Sequence, residues 1–205
     1  MRHILNLNNG WAFLKDWTDA PVAIPEAAEL VNVPHCWNAV DGQDGGNDYF
    51  RGTCCYVKQI EHLPEADKYY LEICGANSSA DVYLDGKHMA HHDGGYSTWR
   101  VDMTDAMDRE NMLVILVDNA ANDRVYPQVA DFTFYGGLYR NVNLICVKES
   151  HFDLDYYGGP GIAVTPVMEG TDAKTTVEVY ITNQKEGQTV RYTLLNQEGD
   201  EISSH

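Results

Sequence analysis

The sequence predicts an all-β protein in two successive domains, residues 1–150 and 151–205. Short runs rich in β-branched and aromatic residues recur along the chain, parted by Gly-, Asn- and Asp-rich turns. Helical patterning is scarce: EAAEL (26–30) and DMTDAMDRE (102–110) read at most as short helical turns. The texture then changes near residue 150. There KESHFDLDYYGGPG ends one block with charges and opens another through a Gly-Gly-Pro-Gly turn.

Each element has its own signal. The opening MRHILNLNNGWAF suits a strand and a turn. KYYLEICG (68–75) carries the β-branched and aromatic bias of a strand. ADVYLDGKHMA (80–90) is a hairpin: Val82 and Leu84 alternate with Tyr83, and Asp85-Gly86 supplies the positive φ angles of a tight turn. NMLVILVDN (111–119) is a continuous apolar run, as in a strand covered on both faces. RNVNLICV (140–147) sets Val142 and Leu144 against Asn141 and Asn143, so one face is wet. KTTVEVYITN (174–183) and QTVRYTLLNQ (188–197) read as two further short strands. NAVDGQDGGNDYFRG (38–52) is too rich in glycine for a strand interior, and long loops in compact domains are often functional. Residues 151–205 fall well short of the ~100 that a complete two-sheet sandwich needs.

The bulk properties remove whole classes of function. The 205 residues contain no apolar run near the ~20 a membrane span requires, and the start has no stretch that fits a secretory signal. With 14 basic against 31 acidic residues the net charge is −17, which repels a phosphate backbone. Nucleic acid and membrane are therefore poor partners, whereas a neutral sugar needs no compensating charge. Five cysteines, an odd number without a C-x-x-C pair, suit buried free thiols in a reducing compartment. Cytoplasmic localisation is expected on that ground, with periplasm or secretion left open.

KHMAHHDGGY holds His88, His91, His92 and Asp93, but adjacent His91 and His92 point opposite ways on an extended chain, so the bland reading is a hairpin strand running into a turn. No phosphate loop, G-x-S-x-G elbow or H-E-x-x-H is present. The constellation that remains pairs the Gly-rich acidic loop with Asp131, which stands in front of the run FTFYGGLY. A carboxylate accepts two sugar hydroxyl protons in charge-assisted bonds, an amide gives and takes, and flanking rings cover the apolar face of a sugar. Asp131, Asn47, Trp37 and Tyr135 would suit that work. Asp131 could equally pair with Arg140 or Arg124 as a structural bridge.

Three blocks carry a resemblance: VPHCWNAVDGQDGGNDYFRGTCCYVKQI, GANSSADVYLDGKHMAHHDGGYSTWRVDMTDAM and ADFTFYGGLYRNVNLICV. In this order they resemble the N-terminal sugar-binding domain of family 2 glycoside hydrolases, the β-galactosidase and β-glucuronidase group. The resemblance implies a galactose-binding-like jelly-roll β-sandwich, then the beginning of an immunoglobulin-like sandwich from about residue 151. It also implies a catalytic TIM barrel that these 205 residues do not include. In the pattern D-F-x-x-Y-x-G-[IL]-x-R-x-V, here Asp131 with Gly137, Arg140 and Val142 in register, the acid reaches into the active-site pocket and contacts sugar hydroxyls. A second pocket residue, an Asn, falls on Asn47, with Asp48 and Asp44 as alternatives. The implied parent is a retaining β-glycosidase, a β-galactosidase ahead of a β-glucuronidase or β-mannosidase, acting on a β-galactoside or related sugar and assembling as a homo-oligomer. No cofactor and no metal are implied for this chain, with room for a sodium or magnesium ion in the parent enzyme. No catalytic carboxyl pair is assigned here, so the chain alone is expected to be inactive. The rival reading from another class is a free-standing carbohydrate-binding module.

Overall fold

A computed structural model describes residues 2–41 and 48–205. Asn47 and Asp44, two of the residues considered for the pocket, lie outside the described residues. The chain divides into two compact units, Met1–Lys148 and Glu149–His205.

Unit 1 is a sandwich of two antiparallel sheets. Its strands are β1 (His3–Asn6), β2 (Trp11–Leu14), β3 (Glu29–Val31), β4 (Thr53–Glu61), β5 (Lys68–Ile73), β6 (Ser79–Leu84), β7 (Lys87–Asp93), β8 (Trp99–Asp102), β9 (Glu110–Asp118) and β10 (Val142–Val147). The larger sheet runs β3-β2-β4-β9-β6-β7 and the smaller β1-β10-β5-β8. The continuous apolar run of β9 has its physical reason here. Leu113, Ile115 and Val117 face the core shared with Leu71, Ile73 and Leu144 of the smaller sheet. Val114 and Leu116 face a second cluster with Ala12, Leu14, Cys55 and Val57. A strand that is buried on both faces has no reason to alternate.

The β6–β7 hairpin turns at Asp85 (φ 49°) and Gly86 (φ 79°), as the Asp-Gly pair requires. β10 departs from the expected alternation. Asn143 is half-buried, but Ile145 and Val147 are buried along with Leu144 and Cys146, so the wet face ends halfway along the strand. Residues 26–30 are not helical: β3 begins at Glu29 and pairs Leu30 with Ala12 of the edge strand β2. Sheet pairing outweighs the local preference of two alanines and two glutamates. Residues 104–106 form a single 3-10 turn. All five cysteines are free.

Unit 2 contains β11 (His151–Phe152), β12 (Ile162–Glu169), β13 (Asp172–Val179), β14 (Ile181–Thr182), β15 (Thr193–Leu195) and β16 (Glu201–Ser204). They pair only two by two, as β11-β14, β12-β13 and β15-β16. The segment 188–197 is a strand over Thr193–Leu195 alone. Val177, Val179 and Ile181 are half-buried. Exposed apolar side chains include Val164, Val167, Met168, Leu194, Leu195 and Ile202.

Candidate functional site: a carboxylate and an aromatic cleft at the rim

Between the end of β9 at Asp118 and the start of β10 at Val142, the chain crosses the rim of the sandwich and carries Asp131. Two fully buried amides fix this crossing. Asn38 Oδ1 accepts the Gly136 N–H at 2.8 Å and Asn119 Nδ2 at 3.3 Å. Asn38 Nδ2 donates to Asp41 Oδ2 at 2.7 Å and to the Phe50 carbonyl at 2.9 Å. Asn119 Oδ1 accepts the Gly52 N–H at 2.9 Å, and its Nδ2 reaches the Phe134 carbonyl at 3.4 Å. Arg51 adds bonds to the Asn119 carbonyl at 3.2 Å and to Gln128 Oε1. Three chain segments are thus tied through side chains that water cannot reach, where an unmade hydrogen bond is costly.

The two glycines of FYGGLY serve this closeness. A Cβ on Gly136 would sit 2.0 Å from Cζ2 of Trp37, and one on Gly137 would sit 2.2 Å from the His35 carbonyl oxygen. Gly137 also has φ 136°, a conformation that side chains rarely adopt. Trp37 therefore lies under the loop, buried and stacked on Phe13 at 6.3 Å, and cannot cover a sugar face as its sequence position suggested. Aromatic residues near a rim are drawn into the core when a glycine pair leaves room for them.

Asp131 is exposed. Among the described residues it has no hydrogen bond or ion pair. Both arginines that could have bridged to it are engaged elsewhere. Arg124 Nε donates to Asp93 Oδ2 at 3.0 Å. Arg140 Nη1 donates to the Tyr96 carbonyl at 2.8 Å and the Cys74 carbonyl at 3.3 Å.

Next to Asp131 the rim opens into a cleft of about 350 Å³, lined by Cys36, Asn77, Tyr96 and residues 132–135, with Tyr139 behind them. A row of rings runs along it: Tyr96 to Tyr126 at 4.9 Å, Tyr126 to Phe134 at 6.0 Å, Phe134 to Phe132 at 4.9 Å. Tyr96, Phe132 and Tyr135 are each more than half exposed, at 54%, 61% and 51%. Asn77 pins the row, with Nδ2 donating to the Tyr135 carbonyl at 2.6 Å and Oδ1 accepting the Tyr126 hydroxyl at 2.5 Å. Burial first, and then the hydrogen bond with Tyr96, raise the Tyr126 phenol, so it stays neutral.

Residues 51–150 match the family model described as the glycosyl hydrolase 2 galactose-binding domain-like domain. Over these residues the chain carries a family 2 glycosyl hydrolase galactose-binding-like domain. A β-glucuronidase of Bacteroides fragilis is 31% identical over 98% of the chain, which covers 29% of that protein. A β-galactosidase of Thermoanaerobacterium thermosulfurigenes is 30% identical over 70% of the chain and 21% of its own length. Among solved structures, an FMN-binding β-glucuronidase from Facaelibacterium prausnitzii L2-6 is 42% identical with a TM-score of 0.86, over 100% of this chain and 32% of that one. The chain thus spans less than a third of these relatives.

In this family 2 domain the histidines of KHMAHHDGGY face carboxylates. His91 lies between Asp81 (Nδ1 to Oδ1, 3.0 Å) and Asp93 (Nε2 to Oδ1, 3.1 Å). His88 Nε2 meets Asp81 at 2.7 Å, and His92 stacks on Trp99 at 4.8 Å. His91 and His92 do point apart, as alternation along β7 dictates. The sequence reading missed Asn38, Asn119 and Asn77. Each is an amide beside a strand end or a Trp or Gly, and a buried amide leaves no periodic trace. Only the exclusion of charged residues from such a spot could have hinted at them.

Proposed function

We propose that the chain is the sugar-binding part of a retaining β-glycosidase, and that Asp131 accepts hydroxyl protons of the bound sugar. The observation that carries this reading is an exposed carboxylate with no partner among the described residues, held at a rim by a buried amide network. Two neighbouring hydroxyls would satisfy it without any change in the fold. The acid/base and nucleophile carboxyls of such an enzyme, about 5–5.5 Å apart, are assigned to the remainder of the protein. Unit 2 is read as the start of its immunoglobulin-like domain. The sugar is a β-glucuronide or β-galactoside. The expectation of galactoside first draws no support from the relatives, which carry both names, and the more similar ones reported above are β-glucuronidases.

The test is Asp131→Asn in the protein expressed from its complete reading frame. Losing one or two charge-assisted bonds, about 1.5–3 kcal/mol each, should lower kcat/KM by at least about tenfold on whichever glycoside is hydrolysed. An unchanged kcat/KM overturns the role of Asp131.

A second reading, a free-standing carbohydrate-binding module, is favoured by the exposed rings Tyr96, Phe132 and Tyr135. NMR titration of this chain with a simple galactoside and glucuronide separates the two. Millimolar shifts confined to these rings support a module, and silence supports a partial pocket.

A further inference from the structure

The cleft beside Asp131 has a chemistry unlike that of a sugar subsite. A site for hydroxyls presents free donors and acceptors. Here most of the polar atoms are already spent on one another: the Asn77 amide holds the Tyr135 carbonyl and the Tyr126 hydroxyl, and the Tyr139 hydroxyl donates to the Gly95 carbonyl at 2.5 Å. Thr133 and Tyr135 are the lining residues whose hydroxyls have no protein partner among the described residues. No lining side chain among the described residues is a carboxylate, ammonium or guanidinium, although the chain as a whole carries −17. What remains exposed is ring: Tyr96, Phe132 and Tyr135, backed by Phe134 and Tyr126. A cleft of about 350 Å³ is at the small end of ligand sites and suits one ring system with its substituents. Aromatic walls favour a planar ring that stacks offset or edge to face.

We propose that this cleft receives the leaving group of the substrate, and that this leaving group is a planar, uncharged aromatic ring. The inference rests on the reading of Asp131 as the sugar contact. Phe132 follows Asp131 directly in the chain, so a molecule whose sugar meets the carboxylate can lay its other end on the rings. The Thr133 hydroxyl is placed to meet one polar substituent. Phe132 and Tyr135 then decide which glycosides are preferred, and they take no part in bond cleavage.

The experiment compares kcat/KM for 4-nitrophenyl and methyl glycosides of the sugar that is hydrolysed, using the protein from its complete reading frame. Phe132→Ala and Tyr135→Ala are compared with wild type, with Phe132→Tyr as a conservative variant. Each alanine should lower the aryl-over-methyl preference by about three- to tenfold, the range of one aromatic pair, and Phe132→Tyr should restore it. Melting temperatures recorded alongside show that the variants fold, and both positions are exposed enough to allow it. A preference left unchanged, whether activity as a whole stays or falls, overturns the inference and leaves the role of Asp131 standing. A parallel loss on both substrates with a lower melting temperature shows that the rings pack against protein, which also overturns it. If wild type hydrolyses neither substrate, the enzymatic reading fails, and this inference fails with it.

Discussion

A carboxylate with no partner among the described residues has little to lose when its charge is removed, whereas a buried amide that holds three loops has much. That contrast separates Asp131 from Asn38. Asp131→Asn should leave the urea midpoint of this chain nearly unchanged, since surface substitutions away from specific features stay within about ±0.5 kcal/mol. Asn38→Ala strands the Gly136 N–H in a dry site, at about 1–3 kcal/mol for an unmade bond, and removes one of the partners of the Asn119 amide and the bonds to Asp41 and Phe50. A loss of about 2–4 kcal/mol at constant m-value is expected from urea unfolding followed by tryptophan fluorescence. If Asn38→Ala proved as harmless as Asp131→Asn, the network would not be what holds the rim. The two residues also differ in how they appear in the sequence. Asp131 stands out because a charge before an aromatic run breaks a pattern. Asn38 sits in a Gly- and Asp-rich stretch where an amide is ordinary, so nothing local marks it as buried. Trp37 misleads in the opposite sense, since a ring near a rim can turn either way and the choice falls to Gly136 more than eighty residues later.

At the scale of the element, the β6–β7 hairpin was legible because period-two alternation and Asp-Gly are both short-range signals. Its charge chain was not, since cross-strand register sets which carboxylate meets which histidine. Register pairs Asp81 with His91 and Ser79 with Asp93. Burial by itself would lower the His91 pKa, but bonds and charges from Asp81 and Asp93 more than offset that and raise it above 6.5. Burial would raise Asp93, and bonds from Ser79, His91 and Arg124 lower it below 3.8. The signs then follow. The raised histidine contributes stability that is full below pH 6.5 and is lost as pH rises through its folded value. The depressed aspartate contributes stability that is present above pH 3.8 and is lost as pH falls. The His91 side chain is 39% exposed, so solvent screening keeps the contribution below about 1 kcal/mol. His91→Gln should therefore melt up to about 2–4 °C below wild type near pH 5.5, with the gap closing by pH 8.5. A gap that grew with pH would contradict the assignment.

The two units differ as whole bodies in what a chain can bury. In unit 1 ten strands make two sheets, and the space between them is filled by side chains such as Trp11, Tyr56, Ile73, Leu113 and Leu144 with almost no exposure. The fold class was readable because this core imposes alternation on several strands and suppresses it where a strand is covered on both faces, as on β9. In unit 2 no sheet exceeds two strands, and Leu154 is the one buried large apolar side chain. Isolated two-stranded ribbons are at best marginal in water, and apolar groups such as Met168, Leu194 and Ile202 remain more than half exposed. The shortness of residues 151–205 already pointed to uncovered apolar surface, but not to which side chains carry it, because a strand pattern looks the same whether or not a second sheet covers it. A polypeptide of residues 1–148 should therefore fold by itself, with dispersed amide resonances and a single cooperative melt. A polypeptide of residues 149–205 alone should show narrow amide dispersion and no melting transition by circular dichroism. The reverse finding, a cooperative transition in 149–205, would mean that its ribbons close a core that these contacts do not show. Loss of cooperativity in 1–148 would mean that the sandwich core, large as it is, does not hold itself together.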